Sequence, residues 1–102
     1  MSFLTALFGP SKATLEARRL IAEGARLIDV RTHEEFSMGH LDGAENIPLD
    51  RIGGLAGKLK KTGRPIVLCC ASGRRSGMAA EQLTRAGVPD VVNGGGWRSL
   101  RP

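Results

Sequence analysis

Cys70 begins the stretch CASGRRS, in which four residues separate the cysteine from Arg75. A cysteine thiolate is a strong nucleophile, and backbone N–H groups and cations beside it favour the thiolate over the thiol. Gly73 permits a tight turn, so the amides that follow Cys70 can surround one anion. The stretch therefore predicts an acidified nucleophile inside an anion-binding loop.

The only two cysteines of the chain, Cys69 and Cys70, are adjacent and end an apolar run. Adjacent residues of a strand point to opposite faces, so only one of the two sulfurs can face the loop. We expect Cys70, at the strand end, to be the catalytic residue. We expect Cys69 to pack in the core as an inert thiol.

Hydrophobic periodicity predicts the elements that position this loop. The run from residue 66 to residue 70 is apolar at every position, which is typical of a central parallel strand covered on both faces. Apolar residues recur at helical spacing over residues 78–86. Ser76 is a suitable N-cap for that helix, and Gly87 is expected to end it.

The first half of the chain predicts two helices with a strand between them. Thr14 is a candidate N-cap for a helix that Gly24 terminates, and residues 26–30 predict a buried strand. Thr32 and Glu35 have the spacing of a capping box, in which each side chain accepts from the other residue's backbone N–H. A short helix is expected to start there.

The rest of the chain completes an alternation of strands and helices. Residues 44–48 predict an extended segment, and Asp50 is a candidate cap for a third helix. Residues 90–93 predict a last strand, followed by a glycine turn at residues 94–96 and then Trp97. This alternation predicts one α/β domain, in which helices flank a central, mostly parallel sheet in three layers.

Composition limits the possible functions. The chain has 102 residues, enough for one domain, and a formal net charge of +5. Aromatic residues make up 4% of it and its basic residues are scattered, which argues against nucleic acid as a partner. The spacing of the cysteines and histidines argues against zinc, so we expect neither a metal nor another cofactor.

We expect an apolar N-terminal segment over residues 1–11 and the folded domain over residues 12–102. The segment lacks the basic start and the cleavage site of a secretory signal, and it is too short to span a bilayer. A cytoplasmic location with two reduced thiols and no membrane span is therefore expected. The segment is also a candidate docking element for a protein partner.

Three stretches resemble the signatures of a single-domain rhodanese, a member of the rhodanese-like sulfurtransferase family. LIDVRTHEEFSMGHLDGAENIP is similar to the first signature, CASGRRS to the active loop and VVNGGGW to the closing signature. The resemblance implies that Cys70 accepts a sulfane sulfur from a small anionic donor such as thiosulfate. The resulting persulfide would pass that sulfur to cyanide, to a thiol or to a protein acceptor.

The resemblance also implies roles for the neighbours of Cys70. The residues expected to bind the persulfide and the donor are Ala71, Ser72, Gly73, Arg74, Arg75 and Ser76. Arg75 would close the loop, and the charge of Arg74 would favour an anionic donor. Asp29 and Arg31, at the end of a predicted strand, are expected to support the loop, because a buried carboxylate needs a partner.

Two alternative functions remain open. Phosphatases and arsenate reductases of the same fold place one residue more between cysteine and arginine, and the phosphatases have histidine where Cys69 stands. The shorter spacing from Cys70 to Arg75 leaves less room for a tetrahedral oxyanion, which favours sulfur transfer. A protein that only relays persulfide sulfur to a protein partner fits the same loop.

Overall fold

Residues 9–101 are described by a computed structural model of the chain. Within that range four strands form one sheet in the order β2-β1-β3-β4. They are β1 (Arg26–Asp29), β2 (Glu45–Asn46), β3 (Ile66–Cys70) and β4 (Val91–Gly96). All neighbouring strands of this sheet are parallel, which confirms the predicted α/β class.

Helices surround the sheet. The α-helices among residues 9–101 are α1 (Lys12–Ala22), α2 (His33–Ser37), α3 (Leu49–Ile52), α4 (Ala56–Thr62) and α5 (Arg74–Arg85). Short 3₁₀-helices cover Gly53–Leu55 and Trp97–Leu100. None of the helices within the described range is long and apolar enough to cross a membrane.

The central strand β3 divides the core into two apolar clusters. Its residues are all fully buried, and they alternate between the faces of the sheet. Leu68 and Cys70 pack with residues of α3, α4 and α5, whereas Val67 and Cys69 pack with α1 and the last 3₁₀-helix. The helices therefore form one layer on each side of the sheet, which confirms the three-layer prediction.

The first helix starts earlier than the sequence predicts. Ser11, not Thr14, is the N-cap of α1, because the Ser11 hydroxyl accepts a 3.1 Å hydrogen bond from the backbone N–H of Thr14. Gly24 follows the helix with φ +100°, as expected for a residue that ends it. Residues 1–8 of the predicted N-terminal segment lie outside the described residues, so that segment and its docking role stay predictions.

The predicted third helix is divided into three pieces. Pro48, not Asp50, is the N-cap of α3, so Asp50 lies in the first turn. A 3₁₀-helix over Gly53–Leu55 then separates α3 from α4. Gly53 and Gly54 have low helix propensity, which explains why the α-helix does not continue through them.

The predicted glycine turn before Trp97 is wrong, because residues 94–96 belong to β4. Leu68 pairs with Asn93 and Cys69 with Gly95, which leaves Gly94 as the extra residue of a β-bulge. A Cβ on Gly94 would lie 2.8 Å from Val67 Cγ1. The glycines therefore allow β4 to approach β3 more closely than other residues would.

Replacing Gly94 tests this close approach. Gly94→Ala should lower the free energy of unfolding by about 1–3 kcal/mol, because the added methyl group overpacks the contact with β3. Urea denaturation of the variant and the parent measures the difference.

Gly57→Ala is the matched control for Gly94→Ala. A Cβ on Gly57, inside α4, meets no described atom within 4 Å, so this variant should gain up to about 1 kcal/mol. Equal stability of the parent and the Gly94 variant would contradict the close packing of β4 on β3.

Candidate active site

Cys70 ends β3 and lies beneath the loop that leads into α5. Gly73 is the N-cap of α5 and has φ +96°, a left-handed conformation that favours glycine. A Cβ on Gly73 would also lie 3.1 Å from Gly95 Cα, so the loop packs against β4. Gly73 thus turns the loop back over Cys70 as the sequence predicts.

Three hydrogen-bond donors converge on the sulfur of Cys70. The backbone N–H of Gly73 donates at 3.0 Å, and the N–H and hydroxyl of Ser76 each lie 3.4 Å from Sγ. Burial by itself raises the pKa of the Cys70 thiol. The Ser76 hydroxyl and the amides of Ser76, Ser72 and Gly73 outweigh burial, so the pKa lies below its usual value.

Ser76 is not the N-cap of α5, contrary to the sequence prediction. The helix begins three residues earlier, after Gly73, so Ser76 lies in the first turn. Its side chain is fully buried, and its hydroxyl lies 2.7 Å from Asn93 Oδ1 as well as 3.4 Å from Cys70 Sγ. The hydroxyl therefore faces the candidate nucleophile instead of capping a helix.

Cys69 lies on the opposite face of β3. It packs in the cluster that contains Trp97, and burial, followed by the charge of Asp29, raises the pKa of its thiol to about 12. At neutral pH Cys69 is a thiol rather than a thiolate. The pKa values of the two adjacent thiols therefore shift in opposite directions, because the two sulfurs face different surroundings.

Arg75 connects the loop to α2. Its guanidinium donates to both carboxylate oxygens of Glu35, at 2.6 and 2.9 Å. These hydrogen bonds are the main cause that lowers the pKa of Glu35 to about 2. Arg74, by contrast, is exposed at the first position of α5, and its predicted effect on donor choice stays a prediction.

The sequence prediction assigned Glu35 only to the capping box of α2, and that box is confirmed. Thr32 Oγ1 accepts from the Glu35 N–H at 3.3 Å, and Glu35 Oε1 accepts from the Thr32 N–H at 3.1 Å. The same carboxylate holds Arg75, a contact across 40 residues that no local pattern indicates. Glu35 therefore fixes both the start of α2 and the side of the loop.

Asp29 and Arg31 form a buried ion pair on the Cys69 side of the sheet. Both Asp29 oxygens accept from Arg31 Nε, at 2.9 and 3.0 Å, and the Asp29 side chain is fully buried. Arg31 also donates to the carbonyl oxygens of Glu35 at 3.3 Å and Gly39 at 2.7 Å. The pair thus fastens α2 to β1, which is consistent with the predicted supporting role.

Asn93 is a site residue that the sequence prediction missed. Its Oδ1 accepts from the Ser76 hydroxyl at 2.7 Å and from the Gly95 N–H at 3.0 Å, and its Nδ2 donates to the Gly73 carbonyl at 3.0 Å. The available signal was an asparagine in the strand beside β3, directly before the glycines. Asn93 thus joins β4 to the loop over Cys70.

A family comparison agrees with this fold. The Rhodanese-like domain family matches residues 13–100, so the chain belongs to that family. A solved structure, the rhodanese-like domain protein from Staphylococcus aureus, superposes with a TM-score of 0.71 and 33% sequence identity. The superposition covers 86% of this chain and 87% of that one.

Curated relatives include proteins named for sulfur transfer. Thiosulfate sulfurtransferase PspE of Escherichia coli (strain K12) is 35% identical over 74 residues, which are 72% of this chain and 71% of PspE. Putative sulfur carrier protein YrkF of Bacillus subtilis (strain 168) is 37% identical over 71 residues, 70% of this chain. Uncharacterized protein YqhL of the same organism is 41% identical over 69 residues, 68% of this chain. The chain spans 54% of YqhL and 38% of YrkF.

Removing the charge of Glu35 tests its contact with Arg75. Glu35→Gln should lower the free energy of unfolding near neutral pH by about 1 kcal/mol, after allowance for solvent screening of a partly exposed pair. The pKa of Glu35 in the folded protein is about 2, below its ordinary value of 4.5. The stabilisation is therefore fully present above pH 4.5 and is lost as the pH falls towards 2. Urea denaturation at about pH 7 and about pH 3 measures it, and the difference from the parent should shrink at the lower pH.

Glu34→Gln is the control for Glu35→Gln, because Glu34 is an exposed carboxylate in the same helical turn. Its stability should stay within about 0.5 kcal/mol of the parent. Equal effects of the two substitutions would contradict a stabilising contact between Glu35 and the loop.

Proposed function

We propose that this chain is a sulfurtransferase that carries a sulfane sulfur on Cys70 as a persulfide. The observation that supports the proposal best is the convergence of the Gly73 and Ser76 donors on Cys70 Sγ, with the pKa of the thiol lowered. An ionised sulfur surrounded by N–H groups is suited both to attack a donor and to accommodate an anion. The names of the relatives PspE and YrkF point to the same chemistry.

In the first half of the proposed reaction, the Cys70 thiolate attacks the outer sulfur of thiosulfate. A bond forms between Sγ and that sulfur, and the bond to the sulfonate sulfur breaks. Sulfite leaves with the bonding electron pair, and the charge of the thiolate moves to the outer sulfur of the persulfide. The N–H groups of the loop stabilise these anions without themselves gaining or losing a proton.

In the second half, a cyanide ion or a thiolate attacks the outer sulfur. The new bond forms as the sulfur–sulfur bond to Cys70 breaks, and Sγ leaves as a thiolate. The donors that lower the pKa of Cys70 also make it a good leaving group, because they stabilise the charge that Sγ regains. Neither half needs a redox partner, since the sulfane sulfur moves without net oxidation of the protein.

Access to Cys70 requires movement of the loop. The residue is fully buried, whereas Ala71 and Ser72 above it are exposed. A small donor would therefore reach Sγ when these loop residues move aside.

Both cysteines are free thiols, and we also propose a reducing compartment such as the cytoplasm, where they stay reduced.

Intact mass spectrometry after thiosulfate treatment tests the persulfide directly. The parent should gain the mass of one sulfur atom, and Cys70→Ser should gain none, because a serine hydroxyl is a poor nucleophile at neutral pH. Cys69→Ala is the matched control and should load like the parent, since the Cys69 thiol is buried with a pKa of about 12. A parent that gains no sulfur, or a serine variant that gains as much, would overturn the proposal.

Turnover separates an enzyme from a relay. A thiosulfate sulfurtransferase should convert cyanide to thiocyanate over many cycles, and Cys70→Ser should abolish the reaction. A persulfide relay would load once and release its sulfur to a protein thiol but not to cyanide. Observing loading without turnover would therefore favour the sulfur-carrier function that the name of YrkF suggests for that relative.

The phosphatase alternative makes a different prediction. Four residues separate Cys70 from Arg75, and the Arg75 guanidinium is held by Glu35. Both features disfavour a phosphate cradle, so a small aryl phosphate should not be hydrolysed above the rate of Cys70→Ser. Hydrolysis that depends on Cys70 would reverse the ranking of the two functions.

A further inference from the structure

The amide of Asn93 has a fixed orientation. Its Oδ1 accepts from the Gly95 N–H and its Nδ2 donates to the Gly73 carbonyl oxygen, each at 3.0 Å. A flipped amide would place two donors together at Gly95 and two acceptors together at Gly73. The atom that lies 2.7 Å from the Ser76 hydroxyl is therefore an acceptor.

The Ser76 hydroxyl has one proton and two acceptors within reach. Asn93 Oδ1 lies 2.7 Å from Ser76 Oγ, and Cys70 Sγ lies 3.4 Å from it. A hydroxyl donates one hydrogen bond at a time, so the two acceptors compete. Ser76 is fully buried, which favours a choice between these two protein atoms.

The charge on the sulfur decides the competition. A thiolate is a charged acceptor and attracts the hydroxyl proton strongly, whereas a neutral divalent sulfur is a weak acceptor. In the persulfide of the proposed function the charge lies on the outer sulfur, so Sγ of Cys70 becomes such a neutral atom. The amide oxygen of Asn93 is then the better acceptor for Ser76.

We propose that Cys70 and Asn93 alternately accept the Ser76 hydroxyl proton, Cys70 as a free thiolate and Asn93 while Cys70 carries a second sulfur. No bond to hydrogen breaks, because the hydroxyl only rotates between its acceptors. Ser76 thereby stabilises Sγ as it becomes the leaving group. Asn93 is a positioning residue that acts through Ser76, and this inference rests on the proposed persulfide.

A double-mutant cycle with Ser76→Ala and Asn93→Ala tests the shared proton. The measurement is the pH dependence of Cys70 alkylation by iodoacetamide, followed by intact mass. The midpoint is the pH at which the rate of alkylation is half of its maximum. Below that pH, Ser76→Ala should slow alkylation about tenfold, because the thiolate loses a hydrogen-bond donor. Asn93→Ala should shift the midpoint to lower pH, because Ser76 then donates to the sulfur without a competitor.

The direction of the Asn93 effect separates the proposal from a merely structural role. If Asn93 only held the loop through the Gly73 carbonyl, its loss would disperse the donors around Cys70 and shift the midpoint to higher pH. Asn93→Ala is made in the parent and in Ser76→Ala, and the shift of the alkylation midpoint is measured in each. The shift in the parent minus the shift in Ser76→Ala is the part of the Asn93 effect that passes through Ser76. A zero or upward difference would overturn the proposal.

The titratable neighbours of Cys70 are left intact by this design. Arg75 on α5 and Cys69 on β3 interact with Cys70 within residues 9–101, and neither is replaced. Their effects on the midpoint are therefore the same in all four proteins and cancel in the cycle. Urea denaturation of each protein confirms that it is folded.

A second readout uses the loading equilibrium at a fixed ratio of thiosulfate to sulfite. Ser76→Ala should raise the equilibrium constant for loading by up to about tenfold, because it destabilises the competing free thiolate. The persulfide fraction should rise accordingly. Asn93→Ala should lower the fraction, because the Ser76 hydroxyl of the loaded protein then loses its better acceptor. Unchanged fractions in both variants would contradict a proton that follows the charge on Sγ.

The two readouts distinguish this inference from the proposed function. A parent that never loads would refute the persulfide, and with it the loaded half of the alternation. Alkylation does not require a sulfur donor, so it would still decide whether Ser76 and Asn93 set the ionisation of Cys70.

Discussion

The buried ion pair between Asp29 and Arg31 is the constraint on which the candidate site depends. A carboxylate with no solvent exposure is costly unless a cation neutralises it and hydrogen bonds satisfy its oxygens. Arg31 does both, and its guanidinium also donates to the carbonyl of Glu35, inside α2, and to that of Gly39, just after the helix. The helix is thereby held at the carboxyl end of β1, where Glu35 reaches Arg75 of the loop. The ion pair on the Cys69 side of the sheet thus contributes to the position of the loop over Cys70.

Most of the hydrogen-bond donors around Cys70 Sγ are backbone N–H groups. N–H groups of the loop point at Cys70 because Gly73 turns left-handed and because β4 carries glycines that let the loop approach. Main-chain donors cannot change protonation or rotate away, so they form a preorganised environment for a sulfur anion. The side chains that complete it, Ser76 and Asn93, come from α5 and β4. The geometry of the candidate site and the packing of the sheet are therefore set by the same contacts.

Local patterns predicted the parts of this molecule that local physics determines. The alternation of strands and helices, the buried strand β3 and the capping box at Thr32 each depend on neighbouring residues, and the structure confirms them. Position errors arose where two local signals compete, as at the glycines of β4, which look like a turn but pack as a strand. The contacts of Glu35 and Asn93 with the loop were missed because they join residues far apart in the chain. Such pairings follow from the tertiary fold, which periodicity and spacing do not specify.

The alternation of side chains along β3 has a consequence for which cysteine can react. Cys69 and Cys70 have identical side chains, yet one thiol has a pKa of about 12 and the other a pKa below its usual value. What separates them is the pairing frame that β1 and β4 impose on β3. A shift of that pairing register by one residue would move each cysteine to the opposite face of the sheet. Cys69 would then lie beneath the loop, and Cys70 would be buried in the other core cluster. The hydrogen-bond ladder of the sheet therefore determines which of the two sulfurs lies beneath the loop.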